Sequence, residues 1–354
     1  MKLSVPFIPD EPYIHFLKKN TLYLESVYFP LSSGPVLDSR IRFKETDPDA
    51  LARELKQFKT IRKYCLLNSR FIHPHAYHDR DFLSQTMDRL ELLTLNADIT
   101  GFVFSDAYFL NALSRTNRDI IPGLEAVPGI NCMMDSSQKA FAFFDLIKQA
   151  GFKLPGKIAL DRSLNRNLVQ LENTVREIKD RYPSIKIELL ANEGCIDLCP
   201  FKLTHDAQIS FSNLGLSKGN NDLTNKALGC HAYFLKNPER FFKSPFIRPE
   251  DLSLYKGLAD TVKLCGRTLG TKFLMNCITA YRDTSYDGNL LSLMDAAHWL
   301  SDLIHINNKK LDPGFLSVLT SCSKDCRNCS ICSDLLLKTS MYKPFKIKAY
   351  EDYL

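Results

Sequence analysis

A closed eight-stranded α/β barrel is the fold this sequence predicts, and three observations carry that reading. Short β-rich apolar runs alternate with amphipathic stretches eight times, the pattern of a parallel sheet with crossover helices. No Gly-rich dinucleotide fingerprint follows the first run, which weakens the runner-up, an open doubly wound sheet. About seventy residues, 192–260, separate the seventh and eighth runs, far more than a typical connection. Long βα-loops sit on the C-terminal face of a barrel, where active sites are built.

The elements follow in order. A strand over 2–8 leads to a helix starting near Asp10. A second strand, 22–29, precedes a helix over 48–62, with Asp47 suited to the N-cap and Pro48 to the first helical position. The third strand, 63–68, leads to a helix over 79–95, and the fourth, 99–104, to a helix ending near Leu113. The fifth strand covers 123–130 and its helix 136–150; the sixth covers 157–160 and its helix 168–182. The seventh strand is 185–191. The eighth, 261–265, is followed by a helix over 271–282. Residues 286–305 read as another helix. The division is then a barrel over 1–285, containing the 192–260 insertion, and a helical, Cys-rich appendage over 286–354. Within the insertion, Ser217-Lys218-Gly219-Asn220-Asn221 reads as an exposed turn. Strand alternation puts Ile187, Leu189 and Ala191 on one face with Glu188 opposite, and Val262 and Leu264 opposite Lys263. Glu188 and Lys263 are thereby expected to face each other inside the barrel as a buried ion pair.

Apolar residues make up 45% of the 354 and charged residues 24%, which excludes disorder as the main state. The net charge of +6 tolerates an anionic partner without demanding one. No run approaches 18 apolar residues, so no membrane span is expected. The start, Met1-Lys2-Leu3-Ser4-Val5-Pro6, lacks the apolar stretch of a signal peptide. A cytoplasmic protein is the expectation.

Eleven cysteines in such a chain argue against a disulfide framework. Cys65, Cys132, Cys265 and Cys277 are scattered singly, as buried small hydrophobes are. Cys322, Cys326, Cys329 and Cys332 instead fall within eleven residues, spaced C-x3-C-x2-C-x2-C. Structural zinc usually takes two cysteine pairs a dozen or more residues apart, whereas tight C-x2-C-x2-C loops wrap iron–sulfur cubes. A [4Fe–4S] cluster is the first expectation for this tail and zinc the alternative. Lys324 and Arg327 would offset thiolate charge. The first three cysteines also fit the C-x3-C-x2-C spacing of radical S-adenosylmethionine enzymes. That motif normally opens the barrel, however, and Cys332 would close the iron position such chemistry leaves open. A second group begins where the seventh strand ends, in Asn192-Glu193-Gly194-Cys195-Ile196-Asp197-Leu198-Cys199, with Cys230 downstream. Gly194 permits a sharp turn, and Cys195 and Cys199 could share a helical face. Three thiolates at a barrel mouth suit a cluster with one open position. Cys265 is the best internal fourth ligand, ahead of His205, His231 and Cys132.

The stretch Glu188-Leu189-Leu190-Ala191-Asn192-Glu193-Gly194-Cys195, with Cys199, Cys230 and Lys263-Leu264-Cys265-Gly266-Arg267, resembles the peptidase U32 family. The likeness covers about 185–285 and implies a TIM-like barrel. The family is named for collagenase-like proteases and also contains iron–sulfur proteins of oxygen-independent hydroxylation. Those act on ubiquinone precursors, tRNA or ribosomal RNA. Residue by residue, Cys195, Cys199 and Cys230 match family cluster ligands, whereas Phe234 stands where many members carry another cysteine. The tail cysteines lie outside the shared core. The resemblance implies one [4Fe–4S] cluster and the tail would make two. The substrate would be a small molecule, RNA or peptide, with an electron-donor protein or a paired family member as partner.

For a peptidase, no G-x-S-x-G, H-E-x-x-H or local Cys/His signature is present, and thiolates spent on a cluster cannot act as nucleophiles. His73, His75 and His78 read as a solvated loop. An iron–sulfur enzyme is therefore the preferred expectation, ahead of a U32-type peptidase. Behind these come a radical S-adenosylmethionine-like enzyme and a non-catalytic cluster protein. Polar residues fall at the predicted strand ends: Asn68-Ser69-Arg70, Ser105-Asp106, Asp161-Arg162, Asn192-Glu193 and Gly266-Arg267. Asp161 and Glu193 suit acid–base work, and Arg162 or Arg267 suits an anionic group, with Arg248 reaching the same mouth. The basic-aromatic stretches at 241–243 and 343–350 are weak signals for nucleic acid.

Overall fold

The computed structural model describes residues 1–31, 37–40, 46–216 and 221–343, so the turn expected at 217–221 and the stretch at 343–350 lie almost wholly outside the described residues. Strands and helices alternate from the start. The first half runs β1 (Lys2–Pro6), α1 (Glu11–Lys19), β2 (Leu24–Pro30), α2 (Pro48–Lys56), β3 (Arg62–Leu67), α3 (Arg80–Ala97), β4 (Gly101–Phe104) and α4 (Ala107–Ser114). The second runs β5 (Glu125–Pro128), α5 (Ser137–Gln149), β6 (Lys157–Ala159), α6 (Leu168–Arg181) and β7 (Lys186–Leu190). The insertion then supplies α7 (Lys202–Asn213), α8 (Asn221–Leu228) and α9 (Cys230–Lys236), before β8 (Thr261–Lys263) and α10 (Thr271–Arg282). The eight parallel strands are ordered β5-β4-β3-β2-β1-β8-β7-β6. Between β5 and β6 the ring is completed by Glu125 bridging Lys153, just before β6. This is a TIM-like (β/α)8 barrel, as the alternation predicts.

The chain stops and starts helices where its side chains can replace missing backbone partners. Asp10, Asp47, Asp79, Asp106, Ser136 and Asn167 each accept an N–H from the first turn of the following helix. Each such cap stabilises its helix by about 1 kcal/mol. Apolar residues separate into two cores. The larger lies between strands and helices and includes Ile187, Leu189, Ala191, Val262 and Leu264, the outward set that alternation assigns. The smaller is the barrel lumen, built from Tyr28, Tyr64, Leu66, Val103 and Val127.

The lumen also holds a buried polar network, and here the expected pair is corrected. Glu188 accepts from Lys157 Nζ at 2.6 Å, not from Lys263. The strand registers offset both lysines from Glu188 by two residues, in opposite directions along the barrel, and their other contacts decide between them. Glu188 is level with Ala159 on one side and Thr261 on the other. Lys157, two residues before Ala159, reaches forward along the lumen to the carboxylate. Lys263, two residues beyond Thr261, is carried toward the mouth, where its ammonium sits 4.2 Å from the Tyr28 ring centroid. Lys157 Nζ also donates to Ser4 Oγ at 2.5 Å and Ser26 Oγ at 2.7 Å.

The helix expected over 286–305 is absent. In its place are short 3-10 turns, Leu290–Leu293 and His298–Asp302, and β9 (Ile304–Ile306). The cause is Asn289, whose side chain competes for the backbone. Its Oδ1 accepts from Leu291 N and Ile306 N, and its Nδ2 donates to Ile304 O. Leu290, Leu291, Leu293, Met294, Ala297 and Leu300 are thereby driven into the main core. The chain then forms α11 (Phe315–Thr320), α12 (Ile331–Thr339) and β10 (Ser340–Tyr342), which pairs antiparallel with β9. Among the described residues no helix is long and apolar enough to cross a membrane.

The insertion crosses the C-terminal face. Ile247 N donates to Ala191 O, Arg70 pairs with Asp206, and Asn213 Nδ2 donates to the carbonyls of Asp38 and Arg40. These ties reach the loops that follow β7, β3 and β2.

Lys157→Met and Glu188→Gln are each expected to destabilise the fold by about 3–5 kcal/mol, because each strands a buried partner. Burial raises the Glu188 pKa, but Lys157, Lys263 and the Ser4 hydroxyl outweigh it and hold the carboxyl below its usual range. A depressed folded pKa means that its stabilisation is complete above about pH 4.5 and fades as pH falls through the folded value. Urea unfolding from pH 3 to 7 checks both points. Equal stability of the variants, or an unchanged acid limb in Glu188→Gln, would remove the pair from its assigned role.

Candidate active site at the barrel mouth

The floor of the mouth is set by strand ends. Tyr28 donates its hydroxyl to Leu264 O, and Lys263 lies over its ring. Burial pushes the Lys263 ammonium down to about 8, while Glu188 pulls in the opposite direction. Leu66, Asn68, Val103, Asn131, Glu193 and Cys265 line the space above.

Asn192, the first residue past the end of β7 and its following Ala191, is fully buried and organises this rim. Its Oδ1 accepts from Cys265 N at 2.7 Å and from Cys265 Sγ at 3.3 Å. Its Nδ2 donates to Cys265 O and Leu293 O, both at 3.0 Å. One amide thus joins the ends of β7 and β8 to the segment after α10. Gly194 then turns with φ +74°, pressed so closely to that segment that a Cβ would meet Met294 Cβ at 3.0 Å. Leu198 makes a second left-handed turn at φ +48°. Cys195 and Cys199 therefore lie in consecutive loop turns before α7 and not on the helical face expected of them, and Cys230 opens α9.

Charged groups surround these thiols in pairs, most of them drawn from different segments of the chain. Arg162 is ion-paired with Glu193, and Arg267 with Asp38. Arg40 meets Asp295 at 3.0 Å. Asp206 takes both Arg70 at 2.9 Å and Lys202 at 2.6 Å. Of the four expected acid–base and anion-binding residues, Arg162, Glu193 and Arg267 reach the mouth. Asp161 stands at its edge, and its carboxylate accepts Ser163 N at 2.9 Å as a cap. Arg248 does not reach the mouth; it is buried on Asp251 against the Phe315 ring. Asp38, Arg40, Lys202, Asp206 and Asp295 were not legible as site residues. Asp295 lies in the stretch whose helical pattern the fold overrides, Asp38 and Arg40 stand in an irregular segment, and Lys202 and Asp206 lie in the insertion.

The four mouth thiols share one electrostatic neighbourhood. Burial pushes Cys195 up, Arg162 and Lys202 pull it down, and Cys199 and Cys230 push it up. Burial likewise raises Cys199, opposed by the Phe201 N–H, Arg162 and Lys202. Cys265 is raised by burial, by Asp295 and by Cys195, with Arg40 opposing. Burial and Arg162 hold Lys202 down at about 8. Buried thiols beside cations are ready to lose protons to a thiophilic metal, whose charge replaces the missing protons. This donor set fits an iron–sulfur group. Among the described residues no three His, Cys, Asp or Glu side chains are already drawn in tightly enough for a single ion. His205 and His231 stand within electrostatic reach of each other. Cys132 turns away, its Sγ 3.6 Å from Phe104 O. The tail cysteines line a separate pocket against the insertion. His73, His75 and His78 are exposed, as a solvated loop requires.

A Ser–Lys constellation, which serves hydrolases on other folds, does occur in the lumen at Ser4, Ser26 and Lys157. Both serines are fully buried there and the lysine is engaged by Glu188.

No family model matches the chain. An uncharacterized protease of Methanocaldococcus jannaschii is 32% identical over 249 residues, covering 70% of this chain and 68% of that protein. The chain belongs to the peptidase U32 family. A solved U32 peptidase aligns at a TM-score of 0.48 and 15% identity, over 74% of this chain and 91% of that one.

Arg162 lowers the Cys195 thiol, so Arg162→Leu is expected to raise it further, and Glu193, left unpaired, adds to the rise. In metal-free protein, iodoacetamide labelling of Cys195 followed by mass spectrometry should begin at higher pH than in the parent. An unchanged or earlier onset would show that the guanidinium does not act on this thiol.

Proposed function

We propose that this U32 protein is an iron–sulfur enzyme whose barrel mouth carries a [4Fe–4S] cluster on Cys195, Cys199 and Cys230. Cys265 flanks the remaining side, and the chemistry is redox or oxygen-independent hydroxylation. The observation that supports this reading most is the convergence of four thiols from three separate segments beside Arg162, Lys202 and Arg40. When bound, such a group supplies electron exchange at the mouth.

The chain's own residues do the rest. Arg162 and Lys202 offset thiolate charge and Asn192 fixes the Cys265 backbone. Glu193, held by Arg162 at the rim, is the group placed to carry a proton. Arg267, held by Asp38, flanks the same opening, and Asp161 positions Arg162 by capping the turn both belong to. Lys263 and Tyr28 form a cationic, aromatic floor under a substrate of small-molecule, RNA or peptide class. An electron-donor protein or a paired family member in the cytoplasm completes the proposed system.

The name of the Methanocaldococcus relative favours a second reading, a U32-type peptidase. Two measurements separate the readings. Anaerobically purified protein should contain iron and sulfide with a broad visible absorption, and Cys195→Ala should lose the mouth portion of that iron together with activity. Iron content unchanged by Cys195→Ala would sink the cluster assignment. Cleavage of gelatin by cluster-free protein, abolished by substitution of one residue, would establish the peptidase instead.

A further inference from the structure

The tail cysteines do not hang free. Cys322, Cys326, Cys329 and Cys332 line one pocket whose opposite wall belongs to the barrel and the insertion. That wall carries Arg166, Arg240, Lys243 and the Phe242 ring. Lys243 Nζ lies 3.6 Å from Cys326 Sγ, and the Lys324 N–H points at Cys322 Sγ at 3.3 Å. Arg166 is 3% exposed. Its Nε and Nη2 donate to Ser244 O, while its Nη1 is buried without a hydrogen-bond partner. A buried guanidinium with a donor to spare, beside four thiols and two further cations, is a wall built for negative charge.

The loop is also tied to the mouth. Lys324, between Cys322 and Cys326, pairs at 2.9 Å with Asp197, between Cys195 and Cys199. The Asp197 side chain is 5% exposed and that of Lys324 35%, so the carboxylate end of the contact is buried and the ammonium end reaches solvent. Each cysteine loop therefore contributes one charge to a half-buried clasp between them.

We propose that this pocket is a second [4Fe–4S] site, closed by all four tail cysteines, balanced by Arg166, Arg240 and Lys243, and clasped to the mouth loop through Lys324–Asp197. A four-thiolate loop supplies every ligand a cube needs, so the site fills independently of the mouth. The spacing favours a cube over zinc, whose cysteine pairs come from separate strands of chain. Because ligand binding is coupled to the order of its loop, the clasp resists loss of the bound iron.

The inference extends the reading of the mouth but is tested without it. In the chain carrying Cys195→Ser, Cys199→Ser and Cys230→Ser, anaerobic reconstitution with iron and sulfide should load about four irons and about four sulfides. Dithionite should then give the EPR signal of a reduced cube. If that variant is not folded by circular dichroism, the full chain is compared with Cys326→Ser/Cys329→Ser, which should contain about four irons fewer. Iron release to a chelator should be several-fold faster in Lys324→Met and in Asp197→Asn. Stoichiometric zinc in the tail, or iron unchanged by the tail substitutions, overturns the site. Unchanged release rates in both charge variants overturn the clasp. Failure of the mouth alone would appear differently, as iron that survives Cys195→Ala in full.

Discussion

Everything at the mouth hangs on the buried Asn192 side chain. Standing just past the end of β7, it satisfies backbone groups that the end of β8 and the 290s segment would otherwise leave unpaired in a dry interior. Those groups lie beyond the reach of sheet hydrogen bonding, because β8 ends at Lys263 and Leu293 is in no strand. With the three segments fixed, Gly194 is forced into its tight turn against Met294 and Ala297. Cys195 is thereby delivered to the same side of the barrel as Cys265. An alanine at 192 would leave several buried donors and acceptors without partners, each costing about 1–3 kcal/mol.

The second constraint is charge. The lumen and mouth hold Lys157, Lys263, Arg162, Arg267, Arg40, Arg70 and Lys202 with Glu188, Glu193, Asp38, Asp295 and Asp206. Burying such groups is tolerable only in compensated sets. Cations exceed these carboxylates, so the surroundings of the mouth thiols are basic. The same logic recurs at the tail, where Arg166, Arg240 and Lys243 face four cysteines. The two sites are thus alike in design. Each is a sulfur-bearing loop set against basic side chains from elements far away in sequence.

The Ser4–Ser26–Lys157 cluster shows why composition of a site is insufficient without access. Its atoms have the identities of a hydrolase dyad. Yet it lies in the closed lumen, spends its ammonium on Glu188, and serves to knit β1, β2, β6 and β7 together. The mouth, by contrast, is bounded by loops that follow strand ends, where backbone turns are free to vary without disturbing the sheet.

By itself the sequence determined the barrel, its strand order by alternation, most helix starts, and both cysteine groups. These are local matters: a period of two or 3.6, a capping carboxylate, a spacing of thiols. It also determined family membership, through the stretch from Glu188 to Cys195 and the Lys263–Arg267 segment. Tertiary structure alone decided which charge meets which. Glu188 meets Lys157 and not Lys263 because Ser4 and Ser26 hold the Lys157 ammonium beside it while that of Lys263 lies over the Tyr28 ring, contacts made only in the closed sheet. Arg40 finds Asp295 across 255 positions of sequence. The 286–305 stretch forms turns and a strand because Asn289 captures its backbone, an event no periodicity encodes. Asp197 and Lys324 meet because the tail folds back onto the insertion, so the link between the two cysteine sites exists only once the chain has closed upon itself.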